Sequence, residues 1–311
     1  MSRKADPATP PPNDGTLPWQ VPKEPRDDPD APARIRSTME NPSYRMAEDD
    51  PDFLGSDAVR GPRLELDYLK TELGLAAHGI GHTVVVFGST RICEPQAAAR
   101  LVAEAEARLA EAPDDPDRQR DRAIAGRLAA KAHYYDIARE FAALIAARGD
   151  RPHGERIAVM TGGGPGIMEA ANRGAWAEGA PSVGLNIALP HEQFPNPYLT
   201  PGLCFQFHYF ALRKLHFLQR ARALVAFPGG YGTFDELFET LVLIQTRKMP
   251  PLPVVLIGPE FWSQAVNFDF LVAEGVIAPA DRALFHFATT AGEAFAHIAG
   301  WYRARGQPLF D

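Results

Sequence analysis

Residues 223–236 read ALVAFPGGYGTFDE, an apolar run followed by a glycine-rich turn and a more polar segment. The apolar residues at 223–227 predict a buried strand, and the proline and glycines that follow predict a loop. The loop TGGGPG at 161–166 follows a second apolar run at 157–160, and the loop GST at 88–90 follows a third at 83–87. The chain therefore contains strands that lead through glycine loops into helices.

The same alternation continues along most of the chain. Further apolar runs typical of strands lie at 183–188, 204–207, 254–257 and 284–288. Helical spacing is found at 64–75, 95–112, 124–148, 167–178, 209–220, 260–274 and 292–303, and another helix follows residue 233. This alternation predicts an α/β fold with a doubly wound, mostly parallel, Rossmann-like sheet. Ligands of such sheets bind beyond the carboxyl ends of the strands, where the three loops lie.

The N-terminal segment differs from the rest. Ten of the 29 prolines lie in the first fifty residues, among few residues that could build a core. We expect residues 1–62 to be an extension that is disordered or draped over the surface, and residues 63–311 to form one nucleotide-binding catalytic domain.

Composition excludes several classes of function. The net charge of −7 offers no basic footprint for nucleic acid. No apolar run approaches the roughly 20 residues that a membrane span requires, and no secretory leader is recognisable. Cys93 and Cys204 lack the spacing of a disulfide framework or a zinc site, so we expect reduced thiols and a cytoplasmic protein.

The glycine loops favour a phosphate ligand. Glycine lets backbone N–H groups approach an anion, and the following helix adds a partial positive charge. The alternative is that these glycines only make tight turns. Ile167 and Asp235 stand where the dinucleotide fingerprint requires its third glycine, and neither loop contains the lysine of a nucleoside triphosphate loop. The ligand is therefore predicted to be a mononucleotide or a sugar phosphate, and not NAD or ATP.

The string PGGYGTFDE at 228–236 resembles the PGGxGTxxE motif of the LOG family, cytokinin-activating phosphoribohydrolases often labelled lysine decarboxylases. It is joined by FGS at 87–89, TGGGPGIMEAANRGA at 161–175 and Arg213-Lys214, and the resemblance covers about residues 82–260. It implies hydrolysis of the N-glycosidic bond of purine nucleoside 5′-monophosphates, AMP or cytokinin ribotides, to free base and ribose 5-phosphate. It also implies that the reaction needs no cofactor and that the protein forms a homodimer or higher homo-oligomer. The segment around 113–131 is expanded relative to the family.

By this resemblance, Arg213 and Glu236 align with the family's catalytic arginine and glutamate. We expect the substrate to be bound by Gly88, Ser89, Gly163, Gly164, Glu169, Lys214, Gly229, Gly230, Gly232 and Thr233. A carboxylate beside the scissile bond can stabilise an oxocarbenium-like sugar or activate water. An arginine can bind the phosphate, the ribose or the departing base.

Plainer interpretations exist for these residues. Thr233 and Glu236 have the spacing of a capping box, which helix capping alone would explain. Arg213 and Lys214 can form a solvated basic helix face. His208 and His216 are expected to pack or to face solvent rather than bind metal, and no metal is expected.

Two other functions compete with hydrolysis. One is a non-catalytic nucleotide or molybdenum-cofactor carrier, since the LOG fold resembles such carriers. The other is a pyridoxal-phosphate decarboxylase, which needs a Schiff-base lysine, and Lys214 and Lys248 are the lysines near the motifs.

Overall fold

The computed structural model describes residues 15–190 and 194–310. The chain divides into two compact units, residues 1–63 and 64–311. The predicted boundary at 62–63 falls one residue from this division. The expectation of an irregular chain at residues 1–14 lies outside the described residues.

The first unit contains short helices where the composition predicted little regular structure. They are α1 (Ala31–Met39), α2 (Pro51–Gly55) and the 3₁₀ turns Pro18–Gln20, Pro42–Tyr44, Ala47–Asp49 and Asp57–Val59. Pro42 and Pro51 each begin a helical turn, where their fixed φ is already helical and their missing N–H costs nothing. The prolines thus begin local elements as well as interrupting them.

The second unit alternates strands and helices. Its strands are β1 (Ile80–Phe87), β2 (Arg156–Thr161), β3 (Ser182–Ile187), β4 (Cys204–Phe207), β5 (Ala221–Ala226), β6 (Val254–Ile257) and β7 (His286–Ala288). Its helices are α3 (Arg60–Ala77, which begins in the first unit), α4 (Pro95–Glu111), α5 (Pro116–Ala129), α6 (His133–Ala146), α7 (Ile167–Ala177), α8 (Phe210–Gln219), α9 (Tyr231–Gln245), α10 (Pro259–Ala265), α11 (Phe268–Ala273) and α12 (Ala291–Arg303).

The strands form one parallel sheet in the order β4-β3-β2-β1-β5-β6-β7. This confirms the predicted doubly wound α/β fold. From β1 the chain builds outward to β4, and it then returns to build β5, β6 and β7 on the other side of β1. The topological switch point therefore lies between β1 and β5, where crevices for ligands form in sheets of this kind.

Helices cover both faces of this sheet, as the apolar strands require. Alternate residues of β1 enter opposite cores: Val84 packs in the cluster that contains Phe141, and Val85 packs in the cluster that contains Phe217 and Leu237. All five side chains are fully buried. Burial on both faces explains why β1 is a continuous apolar run instead of an alternating one.

Two predicted helices are each divided in two. The helix expected at 124–148 is α5 and α6, separated by a turn at residues 130–132, and the helix expected at 260–274 is α10 and α11. None of the residues of α5 is buried, whereas one face of α6 lies in the core, so the chain must change direction between them. The Asn267 side chain accepts the Phe270 N–H at 3.0 Å and begins α11.

No helix in the described part of the chain has both the length and the apolar composition needed to cross a membrane.

Candidate functional site

A cavity of about 790 Å³ opens at the carboxyl ends of β1 and β5. This is the switch point of the sheet, and the volume is within the range of small-molecule sites. The loop after β1, the loop after β5, and residues of α5, α8 and α9 line it. The fold thus brings the loops 88–91 and 228–233 together at one pocket.

The loop at 228–233 ends in a helix whose first amides are free. Gly230 is the N-cap of α9, no side chain caps the helix, and the N–H groups of Tyr231 and Gly232 have no acceptor among the described residues. A Cβ on Gly230 or Gly232 would meet open space. Unpaired amides at a helix N-terminus, together with the helix dipole, favour an anion at this position.

The capping-box interpretation of Glu236 is wrong. Because α9 begins at Tyr231, Thr233 is the third residue of the helix, and Glu236 lies more than one turn inside it. The Thr233 hydroxyl lies against Gly229, where a Cβ would stand 2.1 Å from its Oγ1. Glycine is therefore required at 229 for the hydroxyl to reach the cavity that Thr233 lines.

Ser89 connects three loops through its backbone. Its N–H donates to the Pro228 carbonyl at 3.0 Å, and its carbonyl accepts the Ile167 N–H at 3.1 Å. Its hydroxyl accepts the Arg91 N–H at 3.0 Å, which leaves the O–H free to donate into the cavity. A Cβ on the neighbouring Gly88 would stand 2.6 Å from the Ile167 side chain, so glycine allows this close approach.

The loop at 161–166 is arranged differently. The Gly163 N–H donates to Thr161 Oγ1 at 2.9 Å, and the carbonyls of Gly163 and Gly164 accept from Asn196 at 2.9 and 3.0 Å. Neither glycine lines the cavity; from this region, Gly162 and Met168 do. Because β2 is one strand away from the switch point, these glycines shape the loop instead of facing the pocket.

Glu236 is a buried carboxyl that faces the cavity. It is 6% exposed, and its side chain has no hydrogen-bond partner among the described residues. Burial raises its pKa to about 7. The positive charges of Arg213 and Lys214 act to lower this pKa, and the carboxylates of Glu239 and Asp235 raise it by smaller amounts. A carboxyl with this pKa changes its protonation state near neutral pH, as a general acid or base must.

Arg213 projects from α8 into the same cavity. Its Nε donates to the Leu185 carbonyl at 2.8 Å, and its guanidinium carbon lies 5.1 Å from the centroid of the Phe217 ring. Burial lowers its pKa, and Glu236 raises it. A Cβ on Gly162 would lie 2.6 Å from Nη2. The side chain is thus held at the pocket, so a solvated basic face does not describe it.

Like Gly163 and Gly164, the predicted binding residues Lys214 and Glu169 lie outside the cavity lining. Lys214 Nζ forms ion pairs with Asp235 at 2.9 Å and Glu239 at 3.2 Å. The Glu169 carboxylate accepts the Tyr135 hydroxyl at 2.8 Å. Lys214 therefore acts on the site through its charge, and Glu169 supports the packing of α6 against α7.

Sequence reasoning missed three cations that line the cavity: Arg91, Arg127 and Lys131. Arg91 follows the GST loop directly, so its position next to a strand end was a usable signal. Arg127 lies on α5 and Lys131 in the turn after it, about a hundred residues before the PGGYGT loop. No local pattern connects them to that loop.

The fold and the pocket define a Rossmann-like protein with a cavity lined by two glycine loops at its switch point. A family model described as "Possible lysine decarboxylase" matches residues 168–298. The cytokinin riboside 5′-monophosphate phosphoribohydrolase LOG of Oryza sativa subsp. japonica is 30% identical over 168 residues, covering 52% of this chain and 65% of that protein. The probable phosphoribohydrolase LOGL5 of the same plant is 29% identical over 138 residues, covering 43% and 55%.

The chain is therefore similar to the LOG family over the residues that this family model and these plant relatives match. It spans about half, 55%, of the length of the rice LOGL5 protein. Among solved structures, the molybdenum cofactor carrier protein of Chlamydomonas reinhardtii is 19% identical, with a TM-score of 0.42 over 71% of this chain and 98% of its own.

Proposed function

We propose that this protein hydrolyses the N-glycosidic bond of a purine nucleoside 5′-monophosphate, AMP or a cytokinin ribotide. The observation that carries this proposal is Glu236, a buried and unpartnered carboxyl with a pKa of about 7, one turn beyond the free amides of α9. The names of the plant relatives, which specify a riboside 5′-monophosphate and its hydrolysis, support the same reaction.

The 5′-phosphate is bound at the start of α9 in this proposal. The Tyr231 and Gly232 amides donate to its oxygens, and the Thr233 and Ser89 hydroxyls add further donors from the cavity wall. The ribose then extends toward Glu236. The exposed rings of Phe210 and Tyr231, which also line the cavity, offer apolar faces for the purine.

Hydrolysis breaks the bond between C1′ and the base nitrogen through an oxocarbenium-like sugar. The ionised Glu236 stabilises this cation and accepts a proton from the water that adds its oxygen to C1′. The base leaves with the bonding electron pair and takes up a proton, so water is consumed overall. Arg213 favours the ionised form of Glu236, since its charge opposes the effect of burial on that pKa.

The test is incubation of the purified protein with AMP, GMP, CMP and N6-isopentenyl-AMP, with free base followed by chromatography. We expect a purine base and ribose 5-phosphate, and no release by Glu236→Ala. Glu178→Ala, which removes an exposed carboxylate at the end of α7, is the matched control and keeps activity. Full activity in folded Glu236→Ala would remove Glu236 from the mechanism. Nucleotide binding without any base release would favour a carrier.

The homo-oligomeric assembly implied by the LOG resemblance and the cytoplasmic location expected from the two cysteines stay predictions.

A further inference from the structure

Helix α5 has one side toward α4 and another toward the cavity. Arg118 and Arg122 form ion pairs with Glu111 and Glu106 of α4 at 3.1 and 3.0 Å. On the other side, Ile124, Arg127 and Leu128 line the cavity, and their spacing of three and four residues places them on one face of the helix. Lys131, in the turn after α5, lines the same cavity. The segment that is expanded relative to the family thus forms one wall of the pocket.

Arg127 and Lys131 on this wall, and Arg91 in the loop after β1, have no carboxylate partner in the part of the chain that the structure describes. Among the described residues, neither Arg91, Arg127 nor Lys131 forms an ion pair, and Lys131 Nζ donates to the Arg127 carbonyl at 3.2 Å. The other cations near the pocket are compensated, since Arg213 faces Glu236 and Lys214 is paired. A chain with a net charge of −7 therefore concentrates uncompensated positive charge at this cavity.

One phosphate does not account for this much positive charge. A phosphate monoester carries a charge of about −1.5 to −2 at neutral pH. The free amides and the dipole of α9 already serve one such group, as described for the proposed function. Arg127 and Lys131 on one wall, and Arg91 in the loop after β1, would then leave their charges at the same cavity without an anion. Like charges brought close together without a counter-charge are unfavourable.

We propose that Arg127 and Lys131, with Arg91, form a second anion subsite, and that the ligand of this pocket carries a phosphoryl group beyond the one bound by α9. This inference rests on the proposed function for the position of the first phosphate. The second phosphoryl group is either linked to the first, as in a nucleoside 5′-diphosphate, or carried on the ribose, as in a nucleoside 3′,5′-bisphosphate. Because Arg127 is exposed, binding at this subsite weakens with salt.

The test measures binding of ligands that the proposed reaction cannot cleave. Formycin has a carbon–carbon bond between ribose and base, so its 5′-monophosphate, 5′-diphosphate and 3′,5′-bisphosphate can be compared by calorimetry on the full chain. We expect at least one doubly phosphorylated ligand to bind about tenfold more tightly than the monophosphate at low salt, because charge-assisted contacts are the strong ones. The ligand whose affinity increases shows whether the second phosphoryl group is linked to the 5′-phosphate or carried on the 3′ oxygen of the ribose.

The Arg127→Gln/Lys131→Gln variant should bring the affinity ratio close to one. Arg122→Gln, on the α4 side of the same helix, is the matched control and should keep the ratio. Equal affinities of all three ligands for the wild-type protein would overturn the subsite. An unchanged affinity ratio in Arg127→Gln/Lys131→Gln would also overturn the subsite. If the ratio behaves as expected but AMP yields no base, the subsite stands and the proposed hydrolysis is wrong.

Discussion

Replacing Glu236 by glutamine should make the protein more stable at pH 8 while removing its activity. Burial raises the pKa of this carboxyl from 4.5 to about 7 in the folded chain. Below pH 4.5 the carboxyl is protonated in both the folded and the unfolded state, so ionisation contributes nothing to the difference between Glu236 and glutamine. Between pH 4.5 and 7 the unfolded chain releases the proton and the folded chain keeps it, so the wild-type protein loses stability. Above 7 the loss is complete.

The magnitude follows from the two pKa values. A difference of about 2.5 in pKa corresponds to about 3 kcal/mol of unfolding free energy. Urea-induced unfolding of Glu236→Gln and wild type at pH 4.5 and pH 8 should therefore show the advantage of the variant growing by about 3 kcal/mol. Glu178→Gln, an exposed carboxylate, is the control and should change stability by less than about 0.5 kcal/mol. An advantage of the same size at both pH values would refute the reasoning.

Three further outcomes follow from the geometry. For base release from AMP, kcat/KM should rise about tenfold per pH unit and level off near pH 7, the pKa of Glu236, because the ionised carboxylate is the active form. A kcat/KM that instead falls as the pH rises would assign Glu236 as the general acid. Gly162→Ala places a Cβ 2.6 Å from Arg213 Nη2, so kcat/KM should fall by roughly tenfold or more, and unchanged kinetics would show that the guanidinium position is not critical. Tyr135→Phe removes the hydroxyl that donates to the Glu169 carboxylate at 2.8 Å. The free energy of unfolding should fall by about 1 kcal/mol, and base release from AMP should not change. A loss of activity without a loss of stability would show that Glu169 does bind the substrate.

Local sequence patterns predicted much of the fold. The strands predicted at 204–207 and 254–257 have those bounds in the structure, because short β-branched or aromatic runs between turn residues are typical of strands in an α/β chain. The two divided helices show the limit of this approach. Helical spacing continues through residues 130–132, and only the need to place α6 in the core and α5 outside it breaks the helix there.

The candidate site shows the same limit more sharply. The order of the loops and the resemblance pointed to Arg213 and Glu236, and the structure places both at one cavity. The TGGGPG loop looked equivalent to the PGGYGT loop by composition, yet Gly163 and Gly164 turn away from that cavity. Composition indicates which segments can form turns, whereas the order of the strands in the sheet decides which of these turns lie at the same cavity.

The sequence by itself determined that this chain forms a parallel α/β sheet with glycine loops at its strand ends. It also showed that a carboxyl follows the last of these loops and that a guanidinium lies on the helix before the strand that leads into it. Tertiary structure alone decided that β1 and β5 are neighbours, that burial raises the pKa of Glu236 to about 7, and that Arg127 and Lys131 join the pocket. The physical reason is the distance along the chain over which each effect acts. Turn and helix preferences act over a few residues, whereas desolvation and charge depend on every element that packs around a group.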